Sequence, residues 1–175
     1  MNKRATAMVA TAILVAMAGL AYGQEAASKD KIIGTWKLLS FYDESVETGK
    51  RANVLGENPR GLLILTTDDR IALTLLDRSR QPAKGAVPTD AEAAELFKTM
   101  LAYVGKYQLD PTPTEAGAKM VIRSEVASNP RIEGVDRGFF VRVDGNKLIF
   151  KTDPPARSPL IGEVSTRNVI LEREP

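Results

Sequence analysis

The chain has 175 residues, 43% of them hydrophobic and 26% charged, which suits one globular domain with a substantial core. It contains no cysteine and no histidine, so disulfides, thiolate nucleophiles, Ser-His-Asp chemistry and every metal site built on imidazole or thiolate are excluded. Only carboxylates, Lys, Arg, Tyr and hydroxyls remain for chemistry, and neither a cofactor nor a metal is expected.

Residues 1–23 read as a secretory signal peptide. Lys3 and Arg4 form a basic start, no charge falls between Ala5 and Gly23, and Ala21-Tyr22-Gly23 puts small residues at the −3 and −1 positions of a cleavage site. The apolar run is short and rich in Ala rather than Leu or Ile, unlike a spanning helix. Without cysteine there is no lipid attachment, so no stable membrane anchor is expected after cleavage. The formal charge of +2 belongs to the precursor: losing Lys3 and Arg4 leaves 22 basic against 22 acidic residues. A neutral chain without basic blocks and interleaved aromatics gives no reason to expect a nucleic-acid partner. The expected compartment is outside the cytoplasm, periplasmic or secreted.

Residues 24–31, small, polar and charged, are expected to form a short tether ahead of a domain spanning 32–175. A long strand over 34–44 opens that domain. At period two, Trp36, Leu38, Ser40 and Tyr42 share one face, and Lys37, Leu39, Phe41 and Asp43 the other. Residues 46–60, punctuated by Gly49, Asn53, Gly56, Asn58 and Pro59, form a loop holding at most a short strand around 52–55. Strands over 61–67 and 70–77 flank Asp68-Asp69 as a hairpin. After a polar loop over 78–88, Thr89 and Glu92 give a capping-box pattern. Ala93, Leu96, Phe97, Met100, Leu101 and Val104 then recur at helical spacing, predicting a helix over 90–102 whose stripe packs on the barrel. Strands follow over 103–110, 119–128, 136–144 and 147–152, the last pair joined by a tight turn at Gly145-Asn146. Three prolines exclude a central strand from 153–162, and a strand over 165–174 ends the chain. The fold class is mostly β: about eight antiparallel strands with one short helix and no strand–helix alternation.

The order of these features resembles the bacterial lipocalin-like domain family over nearly all of the mature chain. The resemblance is carried by Ile33-Gly34-Thr35-Trp36-Lys37-Leu38, Pro59-Arg60-Gly61-Leu62-Leu63-Ile64-Leu65-Thr66 and Tyr103-Val104-Gly105-Lys106-Tyr107. Ser124-Glu125-Val126-Ala127-Ser128-Asn129-Pro130, Val143-Asp144-Gly145-Asn146-Lys147-Leu148 and the closing Leu171-Glu172-Arg173 complete it. It implies an eight-stranded antiparallel up-and-down lipocalin-like barrel, with Trp36 and Arg173 as the pair closing its floor. Members often carry histidines on the strand before the Asn-Pro turn, where this chain has Ile122 and Arg123, and an aromatic where it has Leu171. Roles tied to those histidines do not carry over.

Tyr42, Tyr103, Tyr107, Phe139 and Phe150 occupy strand positions from which they line a cavity or fill a core. Arg123 shares a strand face with Val121 and Glu125; if inward, so costly a charge calls for a ligand or full hydrogen bonding, and if outward it is a solvated surface charge. These six are the candidate ligand-binding residues. Arg142, between Val141 and Val143, raises the same question. The pairs Asp43-Glu44 and Asp68-Asp69 sit at expected strand ends and turns, and neither has the oxygen density of a Ca²⁺ site.

The resemblance and the aromatics imply an exported binding protein that holds a small, largely apolar molecule inside the barrel. Two alternatives stand beside it. One is a lipocalin-like isomerase or cyclase that shapes and polarises its substrate with Tyr and Arg. The other is a cell-envelope protein whose barrel is filled by its own side chains and whose surface engages a partner. A mobile lid is expected over the open end, formed by residues 78–88 and the following helix.

Overall fold

The computed structural model describes residues 27–175; the expected signal peptide and residues 24–26 of the expected tether lie outside the described residues. Ten strands follow in order: β1 (Gly34–Ser45), β2 (Arg51–Asn53), β3 (Arg60–Leu65), β4 (Arg70–Leu76), β5 (Met100–Asp110), β6 (Ala118–Ala127), β7 (Asp136–Asp144), β8 (Lys147–Asp153), β9 (Ala156–Arg157) and β10 (Val164–Arg173). Eight of them, in the order β1-β3-β4-β5-β6-β7-β8-β10, pair antiparallel, and β10 returns to β1 to close the barrel. The short β2 and β9 add to β1 and β10 beside the rim. The mostly-β, eight-stranded up-and-down barrel expected from the sequence is therefore the fold, with closure leaving no long unpaired edge.

One end is plugged. The expected tether does not run free to Lys31: Lys29–Ile32 form a single helical turn, α1, with Ala27 and Ile32 fully buried. The Trp36 indole N–H donates to the Ile32 carbonyl at 2.8 Å, so the largest core side chain fixes this turn under the barrel. Trp36, Leu63, Leu65, Ile71, Tyr107, Met120, Ile122, Leu148 and Leu171 are all essentially inaccessible and fill this half. Burying each large apolar side chain contributes about 1.5–3 kcal/mol.

β1 carries the first departure from strict alternation. A bulge between Leu38 and Ser40, opposite Leu171 and Ile170, shifts the phase of the strand. Trp36 and Leu38 point inward before it; Phe41, Asp43 and Ser45 are buried after it. Tyr42, expected on the Trp36 face, is thereby turned outward. A second bulge lies between Val104 and Gly105 in β5, where a Cβ at Gly105 would run into the Arg123 carbonyl of β6. Only a glycine permits that approach.

The second helix, α2 (Asp90–Lys98), has the expected capping box: Thr89 accepts from the Glu92 amide, and the Glu92 carboxylate accepts from the Thr89 amide at 2.9 Å. Its expected extent and packing are both corrected. The helix stops at Lys98 because Met100, Leu101 and Ala102 pair instead with Leu76, Leu75 and Thr74 of β4. No α2 residue is buried, and Phe97 is 50% exposed. The helical stripe read from the sequence merged the residues of a short helix with the first turn-free residues of β5.

Candidate functional site at the open end of the barrel

The half of the barrel away from Trp36 is not filled. A cavity of about 620 Å³ opens there. Its apolar wall comes from Phe41, Leu73, Leu75, Leu101, Tyr103, Phe139 and Val169, the inward residues of five strands. The turn around Asn129 and Ile132 and the segment 152–159 border it. None of residues 78–99 lines it, so the segment expected as a lid is not what borders the opening; the approach to β10 is.

Charged groups border this space too: Asp136, Asp153 and the exposed Arg157 near its mouth, and Arg137 and Arg167 on the barrel strands, which differ in one respect. Arg167 of β10 stands directly opposite Asp43 of β1. Its Nε donates to Asp43 Oδ1 at 2.7 Å and its Nη2 to Oδ2 at 3.0 Å, a two-pronged pair; the guanidinium also lies 5.4 Å from the Phe41 ring centre. The Ser158 hydroxyl donates to Oδ2 at 2.6 Å, tying the chain between β9 and β10 to the inside of β1. Asp43 is 2% exposed. Burial pushes its pKa up, but the hydrogen bonds from Arg167 and Ser158 and the Arg167 charge outweigh this and hold the carboxyl below its ordinary value. It is ionised at neutral pH and too weak a base for proton abstraction.

Arg137 of β7 has no such partner. Its guanidinium lies 4.5 Å from the Tyr103 ring centre and 5.7 Å from that of Phe139. Nη2 donates to Ser124 Oγ at 2.9 Å, while Nε is shielded from water without a hydrogen-bond partner. Among the described residues no carboxylate forms an ion pair with it. Tyr103 is 6% exposed. Burial raises its pKa, and the neighbouring Arg137 only partly opposes this, so the phenol stays protonated and able to donate.

The candidates named from the sequence divide into three groups. Tyr103 and Phe139 line the cavity. Phe150 and Tyr107 are inside the barrel but behind it: Phe150 meets Phe139 edge-on, with centres 6.0 Å apart at 85°, and Tyr107 lies in the filled half, its hydroxyl donating to the Thr66 carbonyl at 3.0 Å. Tyr42 and Arg123 are outside, a correction in both cases. The β1 bulge turns Tyr42 out beneath Arg51, 4.7 Å from its ring centre. On β6 the inward set is Ala118, Met120, Ile122 and Ser124, which leaves Arg123 on the surface, paired with Asp136 at 3.0 Å.

Trp36 and Arg173 meet at the plugged end, the guanidinium 4.1 Å from the indole centre. Arg173 also donates to the carbonyls of Ile33, at 2.9 Å, and Lys31, lacing α1 to β10. Asp43, Arg137, Ser158 and Arg167 were not foreseen as site residues. Period-two counting from Phe139 and Val169 reaches Arg137 and Arg167, so their signal was present. The signal for Asp43 was hidden by the bulge. No cluster of three or more carboxylates forms among the described residues, so the site offers cation–anion and hydrogen-bond chemistry along an apolar wall.

No curated protein matches the chain. The sequence model of the family described as the lipocalin-like domain matches residues 33–172, a span that starts just ahead of β1 and takes in all of the closed barrel except the last residue of β10, Arg173. The chain belongs to the lipocalin-like domain family.

Proposed function

We propose that the protein is an exported binding protein that holds a small, largely apolar molecule in the open half of the barrel. The observation that carries this reading is the cavity of about 620 Å³ with its wall of Phe, Leu, Tyr and Val. That volume falls in the range of sites for small molecules, and a few polar groups on a mainly apolar wall is the usual composition of such sites. Membership of the lipocalin-like domain family supports the same reading. Export rests on the amino-terminal leader pattern and predicts Gln24, free or cyclised, as the first residue of the mature protein by mass spectrometry. An intact Met1 on protein recovered outside the cytoplasm would contradict it.

The test of binding is native mass spectrometry of the protein purified from its own compartment. A co-purifying small molecule that is lost on denaturation is the expected result. A second reading is favoured by one feature, the Tyr103–Arg137 pair in the cavity wall. It is an isomerase or cyclase that polarises a substrate oxygen with these two groups. The recovered molecule separates the two: a binding protein returns it unchanged after prolonged incubation, whereas an isomerase converts it to a compound of equal mass and different retention.

A further inference from the structure

Of the three arginines that border the cavity, Arg157 is exposed on β9, and the other two, Arg137 and Arg167, stand in unequal electrostatic positions. Asp43 accepts three hydrogen bonds, from Arg167 on both oxygens and from Ser158, and makes no ion pair with Arg137. Asp136, next in sequence to Arg137, borders the cavity, but its carboxylate pairs with Arg123 at 3.0 Å. Asp153, opposite Gly138 at the end of β8, also borders the cavity but makes no ion pair with Arg137. Arg137 is therefore a half-buried cation whose one hydrogen-bond partner is a neutral hydroxyl, Ser124, and which no carboxylate among the described residues pairs with, although Asp136 and Asp153 border the same cavity. Placing a cation there is costly unless something offsets it. The stacking on Tyr103 and Phe139 offsets only part of this.

We propose that Arg137 is the receptor for the anionic end of the bound molecule, which is an amphiphile with an apolar body and one carboxylate-sized negative group. The inference rests on the binding reading above and narrows it to a chemical class. A cationic ligand would be repelled at Arg137, and a neutral one would leave the charge uncompensated. The Ser124 bond and the two rings hold the guanidinium in place before a ligand arrives, so little side-chain entropy remains to be lost on binding. Tyr103, a neutral phenol beside the same guanidinium, supplies a second donor to the anion. The apolar body then lies along Leu73, Leu75 and Leu101.

The test is calorimetric titration of the mature protein with two matched pairs, decanoate against 1-decanol and 1-naphthylacetate against 2-(1-naphthyl)ethanol. The wild type is expected to favour the carboxylate of a pair by about tenfold or more, the scale of one charge-assisted hydrogen bond. Arg137→Met, which keeps the apolar stem, should reduce that preference to about one while leaving the affinity for the alcohol within a factor of about three. Equal binding of acid and alcohol by the wild type, or a preference that survives in a folded Arg137→Met protein, overturns the assignment of the anionic end and leaves the apolar-cavity reading standing. Failure of all four compounds to bind overturns both. Carboxyl-¹³C NMR of decanoate bound to the wild type gives an answer that needs no variant. Its bound pKa should fall below the free value beside a guanidinium, and an unchanged or raised pKa overturns the proposal.

Discussion

At the scale of single residues, Asp43 is the group whose loss the fold should feel most among the polar ones. It is buried, receives both prongs of Arg167 and the Ser158 hydroxyl, and joins β1, β10 and the β9–β10 connection at one point. Asp43→Asn keeps the shape but leaves Arg167 without its counter-charge. Because the Arg167 side chain is 38% exposed and water can partly replace the partner, the expected cost is about 2–3 kcal/mol, below that of breaking a fully buried pair. The pH dependence follows from the direction of the shift. The folded-state pKa is depressed, so the unfolded chain binds the proton more readily and this contribution to stability grows with pH. It is complete above the ordinary aspartate value near 3.9 and disappears as pH falls through the lower folded value. The gap in melting temperature between wild type and Asp43→Asn should thus be constant from about pH 6 to 8 and shrink below about pH 4; a gap independent of pH down to 2 would mean that Asp43 is not ionised in the fold. The plugged end gives a second residue-level prediction. Trp36→Ala should cost about 3–5 kcal/mol and Arg173→Ala about 1–2 kcal/mol, and the losses should be non-additive because the guanidinium lies 4.1 Å from the indole centre. Additive losses in urea denaturation would contradict the contact.

At the scale of elements, the β1 bulge decides which side chains reach the cavity, and it also marks where sequence reading stops. Strand number, the hairpins at Asp68-Asp69 and Gly145-Asn146 and the Thr89–Glu92 cap were legible because each has a local cause: alternation, turn residues or a side chain closing on its own backbone. The bulge between Leu38 and Ser40 has no local cause in Leu-Leu-Ser; it is fixed by the register against Ile170 and Leu171 of β10, more than 120 positions away in the sequence. Counting on at period two across it put Tyr42 inside and Asp43 outside, the reverse of the structure. On β6 the ambiguity was of another kind, since Val121-Arg123-Glu125 and Met120-Ile122-Ser124 alternate equally well and only barrel closure chooses between them. For α2 the apolar positions were real, but half of them belong to β5. The bulge has a direct test. With the phase observed, Phe41→Ala should cost about 3–5 kcal/mol, whereas Tyr42→Ala should cost no more than about 1 kcal/mol, the scale of a surface stack on Arg51. The opposite ranking would restore unbroken alternation along β1.

At the scale of the whole molecule, the two ends of the barrel differ in how tightly they are held, and this determines where a ligand is felt. At the open end, the segment leading into β10 is anchored several times. Ser158 bonds Asp43 inside the barrel, the Ser158 amide donates to the Glu163 carbonyl at 2.9 Å, and the Glu163 carboxylate receives the hydroxyls of Ser45 and of Thr48, the latter at 2.9 Å. The turn at Pro130–Ile132 is held to β6 by the Gly134 amide donating to the Ser124 carbonyl at 2.8 Å. Both segments border the cavity. By contrast, residues 78–98 are held mainly by local bonds, such as the Lys84 amide to Glu92 within the stretch and Ser79 to the adjoining Asp77, and no residue of α2 is buried. Few buried contacts and exposed backbone bonds mean low local stability and fast amide exchange. Residues 78–98 should therefore exchange rapidly whether or not the cavity is filled, because a ligand inside touches none of them. Exchange at 129–132 and 154–163 should be intermediate in the free protein and slower once decanoate fills the cavity, since a ligand stabilises only the states that bind it. Hydrogen-exchange mass spectrometry with and without saturating decanoate distinguishes the cases. Slowing confined to 78–98 would return the role of a lid to that loop and helix. Slowing at the β9–β10 connection, with Ser158→Ala exchanging faster there in both states, would place control of access at the strap that Asp43 holds.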